Sequence, residues 1–178
     1  MLPLLSALAD VGFVLPFLGI AALVLAACGE TRTALTWIAA VMLAVLVALA
    51  LRPLALAGWG APHFPSGHVT LAVSCYGGGI SLLMRGRGGR AGLLVVLLLL
   101  AVGEGTSRVL LTEHSWPDVA GGFVVGLSGL LLTRLPIRAR RLGPGAARWL
   151  ALATLPAAAA GFTLSPWLDA LLRRVADV

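Results

Sequence analysis

Lysine is absent from this chain, and all thirteen residues in its Lys+Arg count are arginine. Charge of either sign is scarce, at 11% of residues, and tyrosine occurs once and cysteine twice. Each shortage excludes something. A soluble domain carries about 25% charged residues, more than twice what is available here. A nucleic-acid surface needs basic side chains spread over one exposed face, whereas these arginines fall in short runs between apolar stretches. Cys28 and Cys75 lie inside apolar segments without metal-ligand spacing, so they read as small core residues and leave the redox compartment open.

What the chain has in abundance is apolar sequence. Of its 178 residues 60% are hydrophobic, and the mean hydropathy is +1.01. This is the composition of an integral membrane protein. A bilayer core of about 30 Å needs roughly 20 apolar residues per helix. About six such runs are present, near 8–28, 34–52, 68–84, 91–110, 117–135 and 149–172. Their connections, Gly29–Thr33, Pro53–Gly67, Met84–Arg90, Leu111–Trp116 and Pro136–Arg148, are too short for a further domain. The expected fold is therefore all-α, with six transmembrane helices in a single bundle over residues 1–178. MLPLLSALAD lacks the basic start of a signal peptide, and its apolar run continues to Cys28, so it reads as a retained first span.

Alternation of six spans puts the loops near 30, 87 and 141 on one face. The loops near 60 and 114, with both termini, fall on the other. The first face collects nine of the thirteen arginines: Arg32, Arg85, Arg87, Arg90, Arg134, Arg138, Arg140, Arg141 and Arg148. The positive-inside rule makes that face cytoplasmic. Glycines at 77–79 and at 121, 122 and 126 let the third and fifth spans approach closely. Trp116 and Trp167 fit an interfacial aromatic belt.

The chemistry-bearing residues all fall on the extracytoplasmic face. Arg52 closes span two, Ser66-Gly67-His68 opens span three, Arg108 closes span four, and His114 with Asp118 opens span five. Charged groups at a bilayer boundary are costly unless they face a polar cavity, so four segments that each carry one predict a site. Arg52 and Arg108 offer planar donor forks to phosphate oxygens, and Ser66-Gly67 at a helix start adds a hydroxyl and backbone N–H groups. His114 and Asp118, four apart, allow the carboxylate to hold one imidazole nitrogen while the other attacks phosphorus. His68 is placed to act as general acid. A metal site is the competing reading of His63, His68, His114 and Asp118, but arginines beside it would repel a cation and the spacing matches no zinc signature. Ser66 lacks the GxSxG context of a hydrolase nucleophile. No cofactor is expected.

Pro65-Ser66-Gly67-His68 followed by Ser107-Arg108, five residues, His114, three residues and Asp118 resembles the second and third signature motifs of the type 2 phosphatidic acid phosphatase superfamily. The resemblance spans residues 52 to 118. It implies a metal-independent membrane lipid phosphatase. His114 would form a phosphohistidine, Asp118 would orient it, His68 would act as general acid, and Arg52, Ser66, Gly67 and Arg108 would hold the phosphate. The implied partners are a phosphorylated lipid and the bilayer. The implied substrate is an isoprenoid pyrophosphate, phosphatidic acid, phosphatidylglycerophosphate or a similar lipid, and a compact chain with its site at the outer face of a bacterial inner membrane suits undecaprenyl pyrophosphate by analogy. A phosphotransferase using the same intermediate, and a non-catalytic phospholipid binder, are the alternatives. A transporter fits poorly, because the polar residues gather at one face and do not line a pore.

The chain departs from the family's first motif, which has Lys, six residues and then Arg-Pro. Arg52-Pro53 is present, but the Lys position is Val45. Loss of an ion pair in a partly desolvated site removes a few kcal/mol, on the order of a hundredfold or more in rate, unless something compensates. Protonated His63 is the candidate compensator. Glu104, one helical turn before Arg108, is expected to orient its guanidinium, whereas Glu113 reads as solvated. Replacement of His63 by Ala should therefore lower phosphatase activity sharply, and an unchanged rate at both acidic and neutral pH would remove His63 from the site.

Overall fold

The computed structural model describes residues 8–84, 87–134, 142–143, 145–154, 156–157 and 159, and among these the chain is helical without strands. Helix α1 is Val11–Ala27 and α2 is Thr31–Trp59. Three consecutive pieces follow: α3 (Gly67–Leu71), a π-helical turn (Ala72–Tyr76) and α4 (Gly77–Leu83). Then come α5 (Arg87–Leu110) and α6 (Trp116–Arg134). By length and composition three helical stretches can cross a membrane, Thr31–Trp59, Gly92–Leu110 and Trp116–Arg134, and α1 is a shorter apolar helix. Most of the sixth expected span, 149–172, lies outside the described residues, although Leu150 packs into the core beside Trp37 and Leu25.

Two boundaries differ from expectation. Helix α2 does not stop at Arg52-Pro53 but runs on to Trp59, giving 29 residues and a length of about 43 Å at 1.5 Å per residue. Pro53 is thus interior to the helix. Proline removes one hydrogen bond without forbidding continuation where the surroundings hold the helix straight. The helix ends where Gly60 takes a left-handed φ of 65°. Its N–H donates to the Leu56 carbonyl at 3.1 Å, the single bond of an αL cap, and the N–H of Ala61 donates to Ala55 at 3.3 Å. The second difference is the π turn inside the third expected span. There the indole N–H of the buried Trp37 donates to the Cys75 carbonyl at 3.2 Å, so a carbonyl at the distorted turn is satisfied by α2.

In lipid, helices gain little by withdrawing apolar surface from their surroundings, so association rests on close packing and hydrogen bonds. Helix α6 is central. It packs along α2 and along the whole α3–α4 stretch, and its glycines make this possible. A Cβ on Gly126 would lie 2.8 Å from that of Val73 and 2.9 Å from the Thr70 carbonyl oxygen. One on Gly129 would lie 2.9 Å from the Cβ of Ala44 on α2. The hydroxyl of Thr70 donates to the carbonyls of Ser66 and Gly122, at 2.9 and 3.2 Å, tying the same two helices. Replacing Gly126 by Ala should force α6 outward at a cost of about 1–3 kcal/mol, read as a lower melting temperature in detergent. Ala at Gly103, whose added Cβ meets nothing within 4 Å, should be neutral or stabilising by about 0.5–1 kcal/mol.

Candidate functional site

The loops 60–66 and 111–115 lie at the same end of the bundle, and the structure brings the predicted residues together there. The first contact is backbone to backbone. The N–H of Ser66 donates to the carbonyl of Asp118 at 2.9 Å, and a Cβ on Gly122 would sit 2.5 Å from the Ser66 carbonyl oxygen. The start of α3 and the first turns of α6 are therefore held in fixed register. Arg52 reaches this junction from α2, with Nη2 3.1 Å from where a Gly67 Cβ would stand. Any larger residue at 67 would crowd the guanidinium.

Ser66 is fully buried, yet its hydroxyl makes no capping bond at the start of α3. Among the described residues Ser66 Oγ, Arg52 Nε and His114 Nδ1 are buried polar atoms with no hydrogen-bond partner. Buried donors and acceptors are normally paired, because an unpaired one costs about 1–3 kcal/mol. Three around one junction mark a place built for something polar.

His114 sits in the loop between α5 and α6. Thr112, with φ of 59°, turns the chain out of α5, and the N–H groups of Glu113 and His114 both fold back on the Arg108 carbonyl, at 3.1 and 3.4 Å. Glu113 is exposed but not merely solvated as expected, for its carboxylate pairs with Arg108 Nη2. Glu104 is buried one turn earlier, within electrostatic range of Arg108 and Asp10, and its Oε1 has no hydrogen-bond partner among the described residues. The His63 ring stands edge-on to that of His114, with centroids 5.8 Å apart. Val45 is partly buried against the apolar cluster containing Trp37 and Val41.

Asp118 has two tasks. Its Oδ2 accepts from the N–H and the hydroxyl of Ser115, both at 2.8 Å. This is the carboxylate half of a capping box that starts α6, legible as Ser115-x-x-Asp118. The same oxygen lies 3.8 Å from His114 Nδ1, beyond a hydrogen bond but close enough to act on the ring's charge. Burial holds the His114 imidazole below its usual pKa, and the Arg108 guanidinium adds to this, while Asp118 opposes it. The balance shifts the ring toward its neutral form.

His68, on the first turn of α3, has a partner that the sequence reading did not select. Its Nε2 lies 2.6 Å from Oδ1 of Asp10, just ahead of α1. The available signal was an acidic residue inside an apolar N-terminal run on the face that carries the site. Among the described residues no three His, Cys, Asp or Glu side chains are grouped to hold a metal ion.

A family model, described as the PAP2 superfamily, matches residues 51–142. That span contains Arg52, the Ser66-Gly67-His68 segment, Arg108, His114 and Asp118. Neither a curated protein nor a solved structure matches the chain.

The electrostatics around His114 set a pH dependence. Because its pKa is lowered, the neutral ring persists to lower pH, and the acid limb of kcat/KM should fall below the ordinary imidazole value of about 6.5. Asp118 favours the charged ring, so Asp118→Asn should move that limb further down as well as lowering the rate. A limb that stays fixed or rises would show that it does not belong to His114.

Proposed function

The chain belongs to the PAP2 superfamily, whose model covers residues 51–142, and from that membership we propose that it is a metal-independent membrane lipid phosphatase acting through a phosphohistidine on His114. The supporting observation is the set of buried, unpartnered polar atoms, Arg52 Nε, Ser66 Oγ and His114 Nδ1, where α2, α3 and the loop before α6 meet. A phosphate bound there pairs with the guanidinium groups of Arg52 and Arg108 and with the Ser66 hydroxyl. It thereby supplies partners for Arg52 and Ser66.

Catalysis proceeds in two displacements. A nitrogen of neutral His114 attacks phosphorus. The P–N bond forms, the P–O bond to the leaving group (the lipid alcohol of a monoester or the lipid phosphate of a pyrophosphate) breaks, and His68 passes its proton to the departing oxygen. Water then attacks the phosphohistidine, giving a proton to His68 as the P–N bond breaks and inorganic phosphate leaves. The arginines stabilise charge on the equatorial oxygens in both steps. Asp118 keeps the loop and ring in place through Ser115 and its charge. The exposed ring of His63, edge-on to His114, is available to offset the cation that Val45 does not provide.

The substrate class follows from the setting. Leu54, Leu56, Leu110 and Trp116 are exposed around the site end, suiting a monoester or pyrophosphate whose chain stays in lipid while its headgroup enters. Undecaprenyl pyrophosphate, phosphatidic acid and phosphatidylglycerophosphate are of this kind. In a six-span arrangement the arginine distribution favours a site on the extracytoplasmic face, and a bacterial inner membrane is the setting taken by analogy.

Purified protein should release inorganic phosphate from at least one of these lipids in the presence of EDTA, and His114→Ala should lower kcat/KM by about 10⁴-fold or more. Turnover that requires added metal, or that survives loss of His114, refutes the mechanism. Transfer of the phosphoryl group to an added alcohol without phosphate release would identify a phosphotransferase instead.

A further inference from the structure

The chain entering α1 is attached to the third span at two points eight residues apart. Asp10 Oδ1 meets His68 Nε2 at 2.6 Å, and the Tyr76 hydroxyl donates to the carbonyl of Leu8. The Phe17 ring packs edge-on to Tyr76, with centroids 5.2 Å apart. In a regular α-helix, residues eight apart are offset by about 80° around the axis. The wider π turn at Ala72–Tyr76 takes up most of that offset, bringing Tyr76 round to the face that carries His68. The one tyrosine of the chain and the distorted turn thus hold residues 8–10 where the Asp10 carboxylate meets the imidazole.

We propose that Asp10 is a positioning residue for the protonation step: with Tyr76 fixing its backbone, it engages His68 Nε2 and leaves Nδ1 as the nitrogen that delivers the proton to the departing lipid oxygen. The proposal rests on the reading of His68 as general acid. A carboxylate on one ring nitrogen selects the tautomer and the ring orientation of the other. Asp10 itself need not touch the substrate. The proton leaves Nδ1 as the P–O bond breaks and is restored there from water in the second step, while the Asp10 contact persists throughout.

Leaving-group dependence tests this. A lipid alkyl phosphate needs its departing oxygen protonated, whereas p-nitrophenyl phosphate leaves as a stabilised anion and needs little help. In the full-length protein, Asp10→Asn should lower the alkyl-to-aryl ratio of kcat by about 10–100-fold, the usual effect of losing a group that orients a functional histidine. Asp10→Glu should largely restore the ratio, and Tyr76→Phe should lower it in the same direction but less. Because a ratio does not depend on the fraction of protein folded, partial misfolding cannot imitate the result. Equal losses on both substrates would make Asp10 a structural residue, and a gain on the lipid would make it an obstruction at the site. Either outcome overturns the proposal. His68→Ala separates the two levels: if it leaves the ratio unchanged, the general-acid reading falls and the proposal with it. If His68→Ala lowers the ratio but Asp10→Asn does not, only the proposal fails.

Discussion

The close approach of α6 to the third span is the constraint on which the rest depends. At Gly122 there is no room for a Cβ beside the Ser66 carbonyl, and at Gly126 none beside Val73 and Thr70. Two backbones at this separation fix the helices in register as well as in distance. The Ser66 N–H then finds the Asp118 carbonyl, and the loops at both helix starts converge. Arg52 arrives because Gly129 lets α2 pack against the same helix through Ala44. A membrane interior makes this strategy effective, since packing and hydrogen bonds have to supply the association energy that water would otherwise drive.

The site built on that junction is held in place by groups that are busy elsewhere. Asp118 starts α6 through Ser115 while placing its charge near His114. Arg108 closes α5, pairs with Glu113 and offers its carbonyl to the following loop. Such double use keeps polar groups satisfied where water is scarce, and Arg52 Nε and Ser66 Oγ are among the few buried atoms left unpartnered around the junction. It also sets the balance around His114. Burial and a nearby guanidinium together outweigh one carboxylate, so the imidazole pKa is held below its usual value.

The residues of the candidate site were largely legible because their chemistry is conspicuous against an apolar background. A histidine, a serine or an arginine at the end of an apolar run has few structural reasons to be there, and span alternation assigns all of them to one face. The helix boundaries were less legible. Proline after Arg52 reads as a stop, yet α2 continues to Trp59. Termination there depends on a left-handed glycine cap, and Gly60 was one of several glycines able to provide it. The π turn carries no local signature in Ala72–Tyr76. Its stabilising partner, the Trp37 indole, lies on another helix. The task of Glu113 was missed because an exposed carboxylate in a loop looks the same whether or not a guanidinium folds back to it.

By itself the sequence determined a membrane protein and a phosphate-handling motif set, and the family model over residues 51–142 places that set in the PAP2 superfamily. Those properties reside in composition, in spacing and in the order of a few polar residues, all of which are local. Tertiary structure alone decided which glycines carry the helix crossing and that Asp10 meets His68 across 58 positions of chain. A contact of that separation exists only after the spans have packed. The sequence lists the groups able to pair, but their pairing is selected by the backbone register that the α6 glycines permit.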